Sequence, residues 1–263
     1  MVEQMDSFVS GISTADGESP DWPQPVLVEN EGGASDWLLI CEHASPHIPA
    51  RYARLGLPAG VEQEHIGRDI GAADLARALS RRLDAPLALA GYSRLLIDLN
   101  RPLGAPTSIP AVSERTEIPG NVGLDEAERR FRAERLFRPF HDRVAELIAA
   151  RERTGRRTRI LTVHTFTPIF LDALRPWRLG VLAAGSRRLA EMLLAELLAL
   201  APGFSMTLDE PYRIAIDEDY AIPVHGDARG HDALLIEVRN DELETPDAVA
   251  AWAGRLAEAL GRI

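Results

Sequence analysis

The chain has 263 residues, 46% of them hydrophobic and 26% charged, with a formal charge of −11 from 29 basic and 40 acidic side chains. That length and balance suit a globular protein with a sizeable core, and the acidic excess argues against a nucleic-acid partner, which needs a concentrated basic face. No apolar run approaches the roughly 18 residues of a membrane span, MVEQMDSFVS lacks the features of a secretory leader, so a cytoplasmic location is expected, and the single Cys41 excludes an internal disulfide or a multi-cysteine metal site.

Residues 1–35 are acidic and rich in Gly, Ser and Pro (ADGESPDWPQP, ENEGGASD), which reads as a mobile arm with one short edge strand at Val26–Val28. A single folded domain is expected over 36–263, where no repeat or break in composition intervenes. Trp37–Cys41 is a short continuous apolar run, the pattern of a strand buried on both faces. It stops at Glu42 and His43, followed by Ala44, Ser45 and Pro46. Spacings of three and four over Glu62–Leu83 predict a helix with Ile66, Ile70, Ala73, Ala76 and Leu79 on one face and Asp69 in its first turns. Pro86–Ala90 and Leu95–Leu99 read as two further strands. Asp98 interrupts the second, and a carboxylate there has to be paired or used; Arg94 and Arg101 bracket it. Leu103–Gly120 has no period and is broken by Gly and Pro, a loop long enough to serve as a lid.

Leu124–Thr154 is amphipathic, and Pro139 is expected to kink or divide the helix; His141 within it reads as structural. Ile160–Val163 is a strand that stops at His164. After it come a strand at Leu179–Ala183, a helix at Arg187–Leu200 and a strand at Met206–Leu208. Glu210–Gly230 is irregular and polar and contains Tyr220, His225 and Gly226. The strand Ala233–Ile236 leads into Glu237, and Thr245–Leu260 closes the chain as a helix.

Three predicted strands thus end in groups that bind metals or move protons: Glu42-His43, His164 and Glu237. In open α/β sheets ligands bind in the crevice beyond the carboxyl ends of the strands. Two histidines and a carboxylate are a common catalytic zinc set. Such a metal polarises a carbonyl and lowers the pKa of its water to about 7, while a nearby carboxylate acts as general base. By spacing alone the signal is weak, since no H-E-x-x-H is present. Other chemistries have less support. There is no G-x-S-x-G elbow, Cys41 lies inside an apolar run where a thiol is inert, and no phosphate-binding glycine motif follows a strand.

CEHAS at 41–45, HIGRDIG at 65–71, YSRLLIDLNRP at 92–102, VHTFTP at 163–168, the loop with Tyr220, His225 and Gly226, and IEVRND at 236–241 resemble, in consistent order, the N-formylglutamate amidohydrolase family. The resemblance implies a three-layer α/β/α sandwich on a mixed, mostly parallel sheet, a phosphorylase/hydrolase-like fold similar to that of zinc carboxypeptidases. It implies a divalent metal, with zinc expected, and hydrolysis of N-formyl-L-glutamate to formate and glutamate in histidine breakdown. His43 and His164 would be metal ligands. The carboxypeptidase pattern has a Glu three positions after the first His, and Pro46 stands there, so Asp69 is the first choice for the third ligand and Glu42 the second. Glu237 fits the general base, His225 would orient substrate or stabilise the oxyanion, and Asn100, Arg101 and Arg94 would grip the carboxylates of a small anionic N-acyl amino acid. Formylglutamate-cleaving members carry a glycine after the first His-Ser and an Asp before the second His; His43-Ala44-Ser45 and Val163-His164 depart from both. Alternatives are a carboxypeptidase-like peptidase, an amidase for another N-acyl amino acid or peptide, and a non-catalytic ligand-binding relative.

Overall fold

A computed structural model describes residues 21–263; the expectation of a mobile arm over 1–20 lies outside them. Each apolar run that reads as a strand from Trp37 onward becomes one, except Leu95–Leu99. The strands are β1 (Val26–Glu29), β2 (Trp37–Cys41), β3 (Leu87–Ala90), a small hairpin of β4 (Val112–Ser113) and β5 (Thr116–Glu117), β6 (Arg159–Phe166), a second hairpin of β7 (Ile169–Phe170) and β8 (Ala173–Leu174), β9 (Leu179–Leu182), β10 (Met206–Leu208) and β11 (Asp232–Arg239). Seven of them form one sheet in the order β1-β3-β2-β6-β11-β9-β10. β3, β2, β6 and β11 run parallel, while β1 is antiparallel to β3 and β9 to β11. The sheet is therefore mixed and mostly parallel, as expected.

Alternation along the strands divides the core in two. Trp37, Leu39 and Cys41 point to a cluster covered by α1 (Ala72–Leu83), α4 (Arg187–Leu200) and α5 (Pro246–Leu260), with Leu75, Leu79, Leu193, Leu197, Trp252 and Leu256 in it. Leu38 and Ile40 point to the other, which holds Phe140, Val144 and Ile148 of α3 (Arg138–Arg153) and many residues from irregular segments. The helices begin where their sequences allow. Thr245 caps α5 by accepting from Ala248 N at 3.2 Å ahead of Pro246, and Asp125 caps α2 (Glu126–Arg132) by accepting from Glu128 N at 2.8 Å. The division expected near Pro139 lies just before it, as a wide turn over residues 133–137 between α2 and α3. Among the described residues no helix is long and apolar enough to cross a membrane.

The short edge strand expected at Val26–Val28 is β1, paired with β3 from Val26↔Ala90 to Glu29↔Leu87. Two expectations need correction. The helix expected over 62–83 starts only at Ala72, since Gly71 has φ +83°, outside the helical region. Asp69 therefore sits in a turn ahead of the helix, where its N–H donates to His43 O at 3.0 Å. Leu95–Leu99 is buried yet is a series of turns. Ser93 Oγ accepts from Leu95 N at 3.3 Å and Asp98 Oδ1 from Asn100 N at 2.9 Å, and these local bonds replace a strand ladder.

Candidate active site

The register of the three central strands lines up the first groups of the site. Ile40 pairs with Thr162, so continuing the ladder sets Glu42 beside His164, and His164 pairs with Glu237. All three share the parity of Leu38 and Ile40 and face the α3 side of the sheet. His43, the next residue after Glu42, turns toward Asp69. There His164 Nδ1 lies 2.9 Å and His43 Nδ1 3.4 Å from the same atom, Asp69 Oδ2, which also accepts from Thr165 N at 3.2 Å. A ligand atom from each of His43, Asp69 and His164 lies within 4.8 Å of the others, and all three residues are buried.

Each imidazole has a second carboxylate behind it. His43 Nε2 is 2.7 Å from Asp98 Oδ1. His164 Nε2 is 3.2 Å from Glu42 Oε2, within ion-pair distance but poorly directed, so that Nε2 and both Glu42 oxygens lack a hydrogen bond. Arg94 ties the cluster together, donating from Nε and Nη2 to Asp98 Oδ2 at 3.1 and 2.7 Å and from Nη1 to Asp69 Oδ1 at 3.2 Å. Burial alone would raise both carboxyls. The His43 and His164 contacts outweigh it at Asp69, and the Arg94 charge followed by His43 outweighs it at Asp98, so both are held below the ordinary carboxylate range. Burial would lower His164, but Glu42 and then Asp69 hold it well above its usual value.

Two nitrogens and one carboxylate oxygen converge, with a carboxylate outside each ring to orient it. That donor set could hold a divalent metal ion. Glu42 faces the Nε2 side of His164, away from the Nδ1 that turns to Asp69. It thus stands beside that ring and outside the group formed by His43, Asp69 and His164.

Glu237 is poised differently. Its Oε1 accepts from the Tyr212 hydroxyl at 2.6 Å, and its buried Oε2 has no partner. Burial pushes the carboxyl up to about 7, against a lowering by His164. Tyr212 reaches it because Gly180, opposite Glu237 on β9, has no side chain and lets the Glu210 carbonyl fill that space. No periodic signal marked Tyr212 in the irregular stretch 210–230.

The residues expected to grip substrate are already engaged. Asn100 accepts from Tyr220 N at 3.1 Å and Ala221 N at 3.0 Å and donates to Asp219 at 3.2 Å, so its amide braces a loop. Arg101 Nη1 donates to Glu218 O and to Asp219, at 2.5 and 3.3 Å, rather than pairing with Asp98; its Nε and Nη2 are left over. His225 Nε2 is 2.9 Å from His141 Nδ1, and His141 Nε2 is 2.8 Å from the Leu99 carbonyl. A carbonyl only accepts, so His141 donates from Nε2 and accepts at Nδ1 from His225 Nε2–H. Burial keeps the pair neutral, with His141 lowered to about 3 and His225 to about 4. The remaining His225 Nδ1 is a buried acceptor without a partner, and an oxyanion needs a donor. The expected oxyanion role does not fit this network.

The sequence model described as N-formylglutamate amidohydrolase matches residues 35–243. A crystal structure of a gene product from Agrobacterium tumefaciens is similar with a TM-score of 0.89 and 39% identity, over 93% of this chain and 96% of that one. The N-formylglutamate amidohydrolase from Ralstonia eutropha JMP134 is similar in fold, with a TM-score of 0.64 and 19% identity over 90% of this chain and 96% of that one. No curated protein matches the chain.

Proposed function

The chain belongs to the N-formylglutamate amidohydrolase family and is a hydrolase of amide bonds, and on that premise we propose that it cleaves a small N-acylated acidic amino acid, N-formyl-L-glutamate first, by water activated at a divalent metal. The observation that carries this reading is the pairing of Glu237, one oxygen held by Tyr212 and the other unpartnered, with His164 of the His43–Asp69–His164 cluster on the adjacent strand.

In this reading His43, Asp69 and His164 hold the metal, zinc being the expected ion. When bound, it polarises the formyl carbonyl and makes water more acidic. Glu237 accepts the water proton at Oε2 as the water oxygen bonds to the formyl carbon, and it passes that proton to the amide nitrogen as the carbon–nitrogen bond breaks, giving formate and the free amino acid. Tyr212 fixes the carboxylate's orientation. Asp98 would orient the His43 ring through its Nε2, and the Glu42 carboxylate would act on His164 through its charge. Arg101, with Nε and Nη2 uncommitted, receives the substrate α-carboxylate, while Asn100 and Arg94 support that wall. His225 keeps the loop 220–226 in place through His141.

The test is formate release from N-formyl-L-glutamate before chelation, after it, and after zinc readdition. Release that disappears and returns supports reaction and metal together. Release indifferent to chelation removes the metal from the mechanism, and no release from metal-loaded protein rejects this substrate.

A further inference from the structure

Arg175 follows the β7–β8 hairpin and is half-buried. Its guanidinium makes no hydrogen bond or ion pair among the described residues, although the chain has an acidic excess. Instead it lies 4.3 Å from the centre of the Phe170 ring and 5.9 Å from that of Phe166. Phe166 is on β6, two residues beyond His164, and strand alternation puts both on one face. The cation therefore stands at the outer end of the row that holds His164 and Glu237. Its surroundings agree: among the groups acting on it electrostatically Glu237 comes first, followed by Tyr212, Glu114 and Glu210.

The platform is tied down. Arg175 N donates to Pro168 O at 2.8 Å. The hairpin tip is clasped to β4–β5 through Leu171 N to Glu114 Oε1 at 3.1 Å and through the Arg115–Asp172 pair, and His65 holds the other Glu114 oxygen at 2.8 Å. A guanidinium stacked on rings keeps its N–H edge open, and that fork matches a carboxylate better than an ammonium would. Arg94 is taken up by Asp98 and Asp69, and Arg101 has only Nε and Nη2 to spare for one carboxylate, so the second carboxylate of an acidic substrate finds an uncommitted cation here.

Building on the amidohydrolase reading, we propose that Arg175 on its Phe170–Phe166 platform receives the side-chain carboxylate of a dicarboxylic N-acyl amino acid, the α-carboxylate going to Arg101. Arg175 then makes the enzyme selective for acidic side chains and is a specificity-determining residue.

The experiment compares kcat and KM for N-formyl-L-glutamate and N-formyl-L-glutamine in the wild type, R175Q and R175K, with calorimetric binding of glutarate to each protein. The wild type is expected to favour the glutamate substrate by about 10- to 100-fold in kcat/KM, the range of charge-assisted hydrogen bonds. In R175Q the loss should appear as a raised KM for the glutamate substrate, so that the two substrates converge, and R175K should restore part of the difference. Equal losses on both substrates, or a preference that survives in R175Q, overturn the proposal while leaving the amidohydrolase reading intact. If the wild type cleaves neither substrate, formyl cleavage falls and glutarate decides: binding weakened in R175Q supports Arg175 as the receptor, and binding that is absent or unchanged overturns it.

Discussion

The two faces of the sheet are made by the same strands and differ in what covers them. On one, α1, α4 and α5 lay apolar stripes over Leu39, Leu161 and Ile236, and the cluster is hydrophobic throughout. On the other, α3 shares the cover with the irregular segments 91–124 and 210–226, and there Glu42, His164 and Glu237 stand among Leu38, Ile40 and Leu235. The difference is one of supply. A helix spends its N–H and C=O groups on itself, so its buried face offers only side chains. An irregular segment has backbone groups to spare, and Asp98, Asn100 and Asp219 are all held by them. Buried charges need such partners, so the chemistry lies on the irregular side.

The largest expected effect belongs to Glu237. Glu237→Gln should lower kcat by about 10³- to 10⁴-fold, the upper range for a general base, with the melting temperature held or raised, because a buried carboxyl is replaced by a neutral amide. Activity within tenfold of wild type would remove Glu237 from the base role. On the helical face the effect should be purely structural. Trp252→Ala should cost about 3–5 kcal/mol in urea unfolding while KM of the folded enzyme stays put; a changed KM would mean that the two faces are coupled. Asp98→Asn should weaken zinc binding by about 10- to 100-fold in chelator competition, since it replaces the carboxylate behind His43 and unpairs Arg94. Unaltered zinc affinity would rule out Asp98 as the partner that orients His43.

The smallest effect is a pH slope. The ordinary histidine value is 6.5, and burial lowers His141 to about 3 and His225 to about 4. Between roughly pH 4 and 6.5 the unfolded chain binds protons at these sites that the folded protein does not. Their contribution to stability is therefore complete above about 6.5 and is lost as pH falls. His141→Gln should flatten the acid side of a melting temperature against pH curve, and an unchanged slope would show that the pair does not carry it.

Legibility followed the same division. The stripe in Arg187–Leu200 and the spacing of Trp252, Leu256 and Leu260 announced α4 and α5, because an amphipathic helix writes its burial into a local period. Trp37–Cys41 and Ala233–Ile236 were readable as buried strands for a similar reason. Leu95–Leu99 was not, since an apolar run reports burial and not backbone conformation, and the turn-forming bonds of Ser93 and Asp98 decided the latter. Asp69 was singled out but placed in a helix, and only the Gly71 turn reveals that it faces His43.

From the sequence alone come the strand ends that carry His43, His164 and Glu237, the fold class and the family resemblance, all of which rest on residues adjacent in the chain. Tertiary structure alone decided that Asp69 lies between the two Nδ1 atoms, that Glu42 backs His164, that Tyr212 holds Glu237, and that Arg101 is paired while Arg175 is not. Those facts depend on strand order and register and on which loops fold over which face. They join residues far apart in the chain, and no local pattern encodes such a meeting.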